Sequence, residues 1–256
     1  MTVQYMEGAE PLLIKGSNTG CLLLHGAGGG TTWDLKEFAH NIHSKTGYTI
    51  WLPALKGFGT RPEDLFNVSF SDWWNDAQEG IQKLKQDCDQ ICVVGHSMGG
   101  LLTLLLASKQ NNITAIVTWA APYNTRHRQL KLLPITSKIP LLKRIIPEKY
   151  SSPALELRQK GWVGYDWIPS LIGMIVLEGL KRLKQSLHNV NCPAFIIQGT
   201  EDKDVSDDSA RKIYQTINSS IKELWYVEGA PHPIMTDESY KDELFSRTIE
   251  FLEGSK

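Results

Sequence analysis

Residues 91–100 read ICVVGHSMGG, an apolar run that ends in the pattern Gly95-x-Ser97-x-Gly99. Ile91, Cys92, Val93 and Val94 make a short unbroken apolar stretch, as expected for a parallel strand buried on both faces. Leu101, Leu102, Leu104, Leu105, Leu106 and Ala107 follow, and they suit a helix buried nearly all round. A strand that turns into a helix over so few residues holds its central residue in a strained backbone conformation. The side chain of that residue is then pushed out at the carboxyl edge of a sheet. Glycines two positions to either side remove the Cβ atoms that would collide there. A serine presented in this way is a nucleophile that needs only a base. Glycine and serine are common, so the pattern takes its weight from the strand before it and the helix after it.

Outward from this turn, strand-like and helix-like segments alternate. Strands are expected over 22–24, 49–52, 91–94, 115–119, 195–197 and 224–227, and helices over 33–45, 71–86, 98–109, 206–217 and 238–252. Such alternation predicts an α/β fold, a mostly parallel sheet with helices on both faces. Ligand sites in these sheets lie beyond the carboxyl ends of the strands. Residues 123–190 break the pattern, being far longer than an ordinary connection. They carry twelve Lys and Arg against four acids, together with Trp162, Tyr165, Trp167, Met174 and many Leu and Ile. This stretch reads as an inserted helical cap between two parts of a core, 1–122 and 191–256. Its last part, 171–187, looks helical, with Ser170 as the N-cap.

A serine nucleophile requires a histidine to take its proton and an acid to orient that histidine. Of seven histidines, His25 and His96 flank glycines in turns, His40 and His43 lie on a polar helix, and His127 and His188 lie in the insert. His232, in the loop EGAPHPIMTDE after the last strand, alone sits where this topology places the base. The acid is expected after the preceding strand, in FIIQGTEDKDVSDD. Asp202 is the first choice, because Val205 can anchor its loop to the core; Glu201 and Asp204 are the rivals. Asp207 and Asp208 are better placed to begin the next helix, where negative charge suits the dipole. Attack on a carbonyl also calls for two fixed N–H donors. Met98, directly after the nucleophile, and Ala27, in LLLHGAGGG after the first clear strand, are the candidates. The glycines at 28–30 allow close approach of a substrate. That loop is not a phosphate cradle, since it lacks the Gly-Lys-Ser/Thr ending.

The whole chain has 256 residues, 27 Lys and Arg against 28 Asp and Glu, and 41% hydrophobic residues, which fits one soluble domain with a large core. A net charge of −1 gives no field to attract nucleic acid. No apolar run nears the length of a membrane span, and the first residues do not read as a secretion signal. Cys21, Cys88, Cys92 and Cys192 form no CxxC pair and read as free thiols in a reducing compartment, so a cytoplasmic location is expected. His40 with His43, and Cys88 with Cys92, read as ordinary solvated or core residues, so no metal is expected. The insert mixes basic and apolar residues at 141–146, LLKRII, which suggests weak contact with anionic lipid surfaces. Oligomeric state leaves no mark.

These pieces resemble the α/β-hydrolases, and within them small carboxylesterases and monoacylglycerol lipases. The matching stretches are LLLHG at 22–26, LKGFG at 55–59, DWW at 72–74, GHSMGG at 95–100, GTEDKDV at 199–205 and PHPIMTDE at 231–238. They run through nearly the whole core in the expected order, while the insert matches only loosely. The usual glycine before the histidine is replaced here by Pro231. The resemblance implies the α/β-hydrolase fold and hydrolysis of a small-molecule ester, a short- to medium-chain acyl ester or a monoacylglycerol, through an acyl-serine intermediate without a cofactor. Other reactions use this scaffold, among them C–C bond hydrolysis, perhydrolysis and acyl transfer, as do ligand-binding members without catalysis. Gly28, Trp119, Tyr123, Trp162, Tyr165, Trp167 and Met174 are the expected walls of an acyl slot.

Overall fold

The computed structural model describes residues 3–124, 147–149, 158–159 and 161–255. A seven-stranded sheet is built from β1 (Leu12–Ile14), β2 (Thr19–Leu24), β3 (Thr49–Leu52), β4 (Gln90–His96), β5 (Ala115–Trp119), β8 (Ala194–Gly199) and β9 (Lys222–Val227). Its order is β1-β3-β2-β4-β5-β8-β9. Every neighbouring pair is parallel except β1 with β3. The α/β architecture expected from the alternation is the one observed. β1 is an addition: three residues after a proline are too short to show a period, and pairing with β3 is what makes them a strand.

Side chains alternate between two cores, as the pleat dictates. Ile91 and Val93 of β4 enter one core while Cys92 and Val94 enter the other. The first core is covered by α2 (Phe70–Leu84), α3 (Met98–Lys109), α4 (Leu171–Ser186) and α5 (Ser209–Thr216). The second is covered by α1 (Trp33–Thr46) and α6 (Lys241–Gly254). α3 follows the turn at Ser97 and is buried along its whole length up to Lys109, which explains why it is apolar on every side. α2 begins with a capping box: the Ser69 hydroxyl accepts from Asp72 N, and the Asp72 carboxylate accepts from Ser69 N.

The insert is only in part what the sequence suggests. α4 packs into the main core, with Ile175, Leu180 and Leu183 buried there and Ser186 Oγ 2.9 Å from Ser108 Oγ of α3. A Cβ on its Gly179 would lie 2.4 Å from the Phe70 ring at the start of α2. α4 is therefore a core layer, although it lies in the last part of 123–190. Ser170 makes no side-chain cap bond at its start. A two-stranded antiparallel ribbon stands apart from the main sheet, pairing β6 (Pro147–Lys149) with β7 (Trp167–Pro169). A purely helical cap is corrected to that extent, because three-residue strands without alternation leave no sequence signal. His127 and the basic apolar run 141–146 lie outside the described residues. Among the described residues, no helix is long and apolar enough to cross a membrane.

Candidate active site

The turn after β4 holds Ser97 at φ 53° and ψ −118°. A non-glycine residue at positive φ costs about 1–3 kcal/mol, so the surroundings must impose it. They do so through backbone hydrogen bonds: Ser97 N donates to Trp119 O at 2.8 Å, and Leu101 N donates to Ser97 O at 3.1 Å. Space is the second constraint. A Cβ at Gly95 would lie 2.3 Å from Gly99 O, and one at Gly99 would lie 1.9 Å from Leu24 O. The two glycines thus bring the start of α3 against the end of β2, where the other half of the site begins.

His232 follows β9, and its Nε2 lies 2.9 Å from Ser97 Oγ. Its Nδ1 lies 2.8 Å from Asp202 Oδ2. Asp202 follows β8 and is 1% exposed, and its second oxygen, Oδ1, accepts from Asp204 N and Val205 N at 2.9 Å each. The loops that carry acid and base are tied together, with Thr200 N donating to Val227 O and Glu201 N to Ala230 O, both at 3.0 Å. Pro231 and Pro233 further restrict the backbone on either side of His232. Glu201 and Asp204, the rival acids, are exposed, and it is Asp202 whose carboxylate meets His232 Nδ1. Asp208 sits just before α5 and pairs with Lys212.

The charges fit a base that accepts a proton. Burial disfavours the imidazolium of His232. The Asp202 hydrogen bond and charge, with the charge of Asp204, outweigh it and raise the pKa above the usual histidine value. For Asp202, burial pushes the carboxyl up, yet its bonds to His232 and to two N–H groups hold it below the ordinary carboxylate range. The pair therefore favours a negative acid beside a ring that can become positive. Asp202, Asp204 and His232 could each offer one atom to a cation, and these atoms lie within 4.8 Å of one another. His232 Nδ1 and Asp202 already use theirs on each other, so the cluster is spent on the proton relay.

Met98 and Ala27, the two expected N–H donors, belong to segments that meet at Ser97. Met98 opens α3, and its N–H is one of the donors that a helix start leaves free. The β2 loop touches the nucleophile, since a Cβ on Gly26 would lie 3.2 Å from Ser97 Cβ. His25 Nδ1 donates to Gly26 O at 2.8 Å, and His25 Nε2 accepts from Leu55 N at 3.1 Å. Because the Gly26–Ala27 peptide is planar and trans, fixing its carbonyl on one side aims the Ala27 N–H to the other. Burial holds the His25 pKa near 4, so the ring is neutral and can keep both roles. His96 acts on the base: its Nε2 donates to His232 O at 3.1 Å. Burial, then the charge of His232, lowers its pKa to about 3. Sequence reasoning passed over His25 and His96 because they looked like companions of turn glycines. Their signal is their place one residue before Gly26 and Ser97.

The expected acyl slot needs correction. Trp119 lies on the opposite face of the sheet, fully buried, with its ring 4.8 Å from Phe38 and its indole N–H donating to Thr248 Oγ1 at 3.1 Å. Strand alternation, which sends Val117 and Trp119 into the second core, is the reason. Tyr123 lies under the ammonium groups of Lys184 and Lys212. Trp162 and Tyr165 are buried in contacts with the core: the indole N–H donates to Asp34 Oδ1 at 2.7 Å, and the phenol donates to Gly57 O at 2.7 Å. Trp167 is half-buried, with its ring 6.0 Å from that of Phe66, and Met174 is half-buried on α4. Gly28 is exposed beside Ala27.

Comparison with known proteins finds relatives along nearly the whole chain. The chain is 31% identical over 255 residues to a thermostable monoacylglycerol lipase from Bacillus sp. (strain H-257), covering 98% of each chain. It is 27% identical over 249 residues to a carboxylesterase from Bacillus subtilis (strain 168), covering 95% of this chain and 96% of that one. Among solved structures, one from work on the metagenome-derived lipolytic enzymes LipS and LipT matches with a TM-score of 0.83 at 27% identity, over 98% of this chain and 100% of that one. The monoacylglycerol lipase of Paleococcus ferrophilus shares the fold, with a TM-score of 0.77 at 16% identity, over 96% of this chain and 98% of that one. The family model described as Hydrolase_4, serine aminopeptidase S33, matches residues 17–239, and the chain belongs to that family of α/β-hydrolases.

Proposed function

We propose that the protein hydrolyses carboxylic esters, short- to medium-chain acyl esters or monoacylglycerols, with Ser97 as nucleophile, His232 as base and Asp202 as the acid that orients it. The observation that carries this reading is the relay Ser97 Oγ–His232–Asp202, closed by contacts of 2.9 and 2.8 Å. The names of the two Bacillus relatives support an ester as substrate. His232 Nε2 takes the Ser97 proton as Oγ attacks the ester carbonyl. The N–H groups of Ala27 and Met98 hold the resulting oxyanion, each contributing roughly 3–4 kcal/mol by analogy with donor deletions elsewhere. The imidazolium, stabilised by Asp202, then protonates the leaving alcohol. Water repeats the cycle on the acyl-serine, returning the acid and the free hydroxyl. These steps call on no group beyond the side chains and amides named. Cys21, Cys88, Cys92 and Cys192, none of them joined in a disulfide, support a reducing, cytoplasmic setting.

A fluorophosphonate probe tests the assignment. It should add one mass to the intact protein, located by peptide mapping at Ser97, and abolish hydrolysis of p-nitrophenyl butyrate. Labelling elsewhere with activity retained would refute it. Acyl length is a separate matter. With Trp119 in the core, and Trp162 and Tyr165 engaged in core contacts, Gly28, Tyr123, Trp167 and Met174 remain as candidate walls of the slot. A defined slot should give roughly tenfold or larger differences in kcat/KM along a series of p-nitrophenyl esters from acetyl to dodecanoyl. A flat response across that series would remove the slot.

A further inference from the structure

The loop that carries Ala27 continues through three glycines, Gly28 to Gly30, before α1 begins. Such a run has much backbone freedom to lose and no side chains with which to hold itself. Residues 162–165, from the far side of the chain, supply the missing hold. Tyr165 N donates to Gly29 O at 2.9 Å, and Thr31 Oγ1 donates to Val163 O at 2.7 Å. Trp162 Nε1 donates to Asp34 Oδ1 at 2.7 Å. Asp34 is in the first turn of α1, and its other oxygen, Oδ2, lies 1.9 Å from where a Cβ on Gly30 would be. The glycine loop is therefore clasped between a buried carboxyl group on one side and the backbone of 163–165 on the other. Tyr165 fixes that second jaw in turn, because its hydroxyl donates to Gly57 O and accepts from Thr60 N at 2.9 Å. Asp34 has no part in the proton relay. Burial raises its pKa to about 7 against the pull of the indole bond, so the group is retained there at an electrostatic cost.

We infer that Asp34 and Trp162 are a positioning pair that sets the oxyanion loop, so that the inserted segment controls the placement of the Ala27 N–H. The inference rests on the ester-hydrolase reading above. A donor aimed at charge that exists only in the transition state affects kcat and leaves ground-state binding alone.

The test compares wild type, Trp162→Phe, Asp34→Asn and Thr31→Val, with kcat expressed per active site titrated by the fluorophosphonate. Trp162→Phe keeps the ring packing and removes the donor, and should lower kcat about 10- to 100-fold with KM within about twofold. Asp34→Asn keeps an oxygen for the indole and should retain about a third of the wild-type kcat or more. Thr31→Val keeps the buried volume and removes the hydroxyl that bonds Val163 O and Trp33 N, and should show the same kcat-selective loss at smaller size. It serves as the deciding variant if Trp162→Phe does not fold. Unchanged kcat per titrated site in Trp162→Phe, or in Thr31→Val where that variant decides, would overturn the inference even if the melting temperature falls. So would a rise in KM with kcat intact. A wild-type protein that neither cleaves esters nor reacts at Ser97 would overturn the ester-hydrolase reading itself, a distinct outcome visible before any variant is made.

Discussion

Ser97→Ala is expected to lower kcat for a p-nitrophenyl ester by about 10⁴–10⁶-fold, with the fold intact. The size follows from what the hydroxyl does. Without Oγ no acyl-serine can form, and His232 and Asp202 lose their object together, so the loss approaches that of the whole relay. What remains is catalysis by the N–H donors and by binding, about 10³–10⁴ over water in related chemistry. Stability should change little, within about 0.5 kcal/mol, because alanine meets the same positive φ as serine and only one contact, to His232 Nε2, is lost. The measurement is the initial rate of purified variant and wild type, alongside their thermal melts. A variant within tenfold of wild type, with the melt unchanged, would mean that Ser97 is not the nucleophile.

That residue was readable from the sequence because several demands coincide in ten letters. A strand buried on both faces has to be unbroken and apolar, the elbow needs glycine on both sides, and the following helix is buried all round. Each leaves its own mark, and the structure shows all three around Ser97. Asp202 and His232 were legible for a weaker reason: the topology limits them to loops after β8 and β9, the first offering five acids and the second a single histidine. Between Asp202, Glu201 and Asp204 the choice turned on Val205, which is indeed 3% exposed and donates its N–H to Asp202 Oδ1. The wall of the slot was not legible. An aromatic residue at a strand end can face either side, and the parity of β5 sends Trp119 toward α1 and α6. Trp162 and Tyr165 look like ligand contacts in a list of residues, but their polar tips are what distinguish them. A buried indole N–H or phenol must find a partner, and theirs are Asp34, Gly57 and Thr60, groups distant in sequence that no local pattern reveals. His25 and His96 were hidden in the same way, because their partners are backbone groups: Gly26 O and Leu55 N for His25, His232 O for His96.

Asp202→Asn should be the second most damaging change, lowering kcat by about 10⁴-fold. The asparagine would keep an oxygen for the N–H groups of Asp204 and Val205, so the loop should hold its shape. Its amide, however, would present a donor to His232 Nδ1. The ring must then carry its proton on Nε2, the atom that has to accept from Ser97. The same change alters the pH profile in a direction fixed by the causes of the His232 shift. In the wild type, activity needs neutral His232, so kcat/KM falls as pH drops through a pKa raised above 6.5. Removing Asp202 takes away the bond and most of the charge that raise it, and leaves burial, which lowers it. The acidic limb of the asparagine variant should therefore move to lower pH while its plateau drops. Asp204→Asn, which removes only the smallest contribution to the same shift, should move the limb slightly and leave the plateau near wild type. Profiles of kcat/KM from pH 4 to 9 separate the cases. If Asp202→Asn retained a tenth of the activity on an unmoved limb, some acid other than Asp202, whose Oδ2 lies 2.8 Å from Nδ1, would have to orient His232.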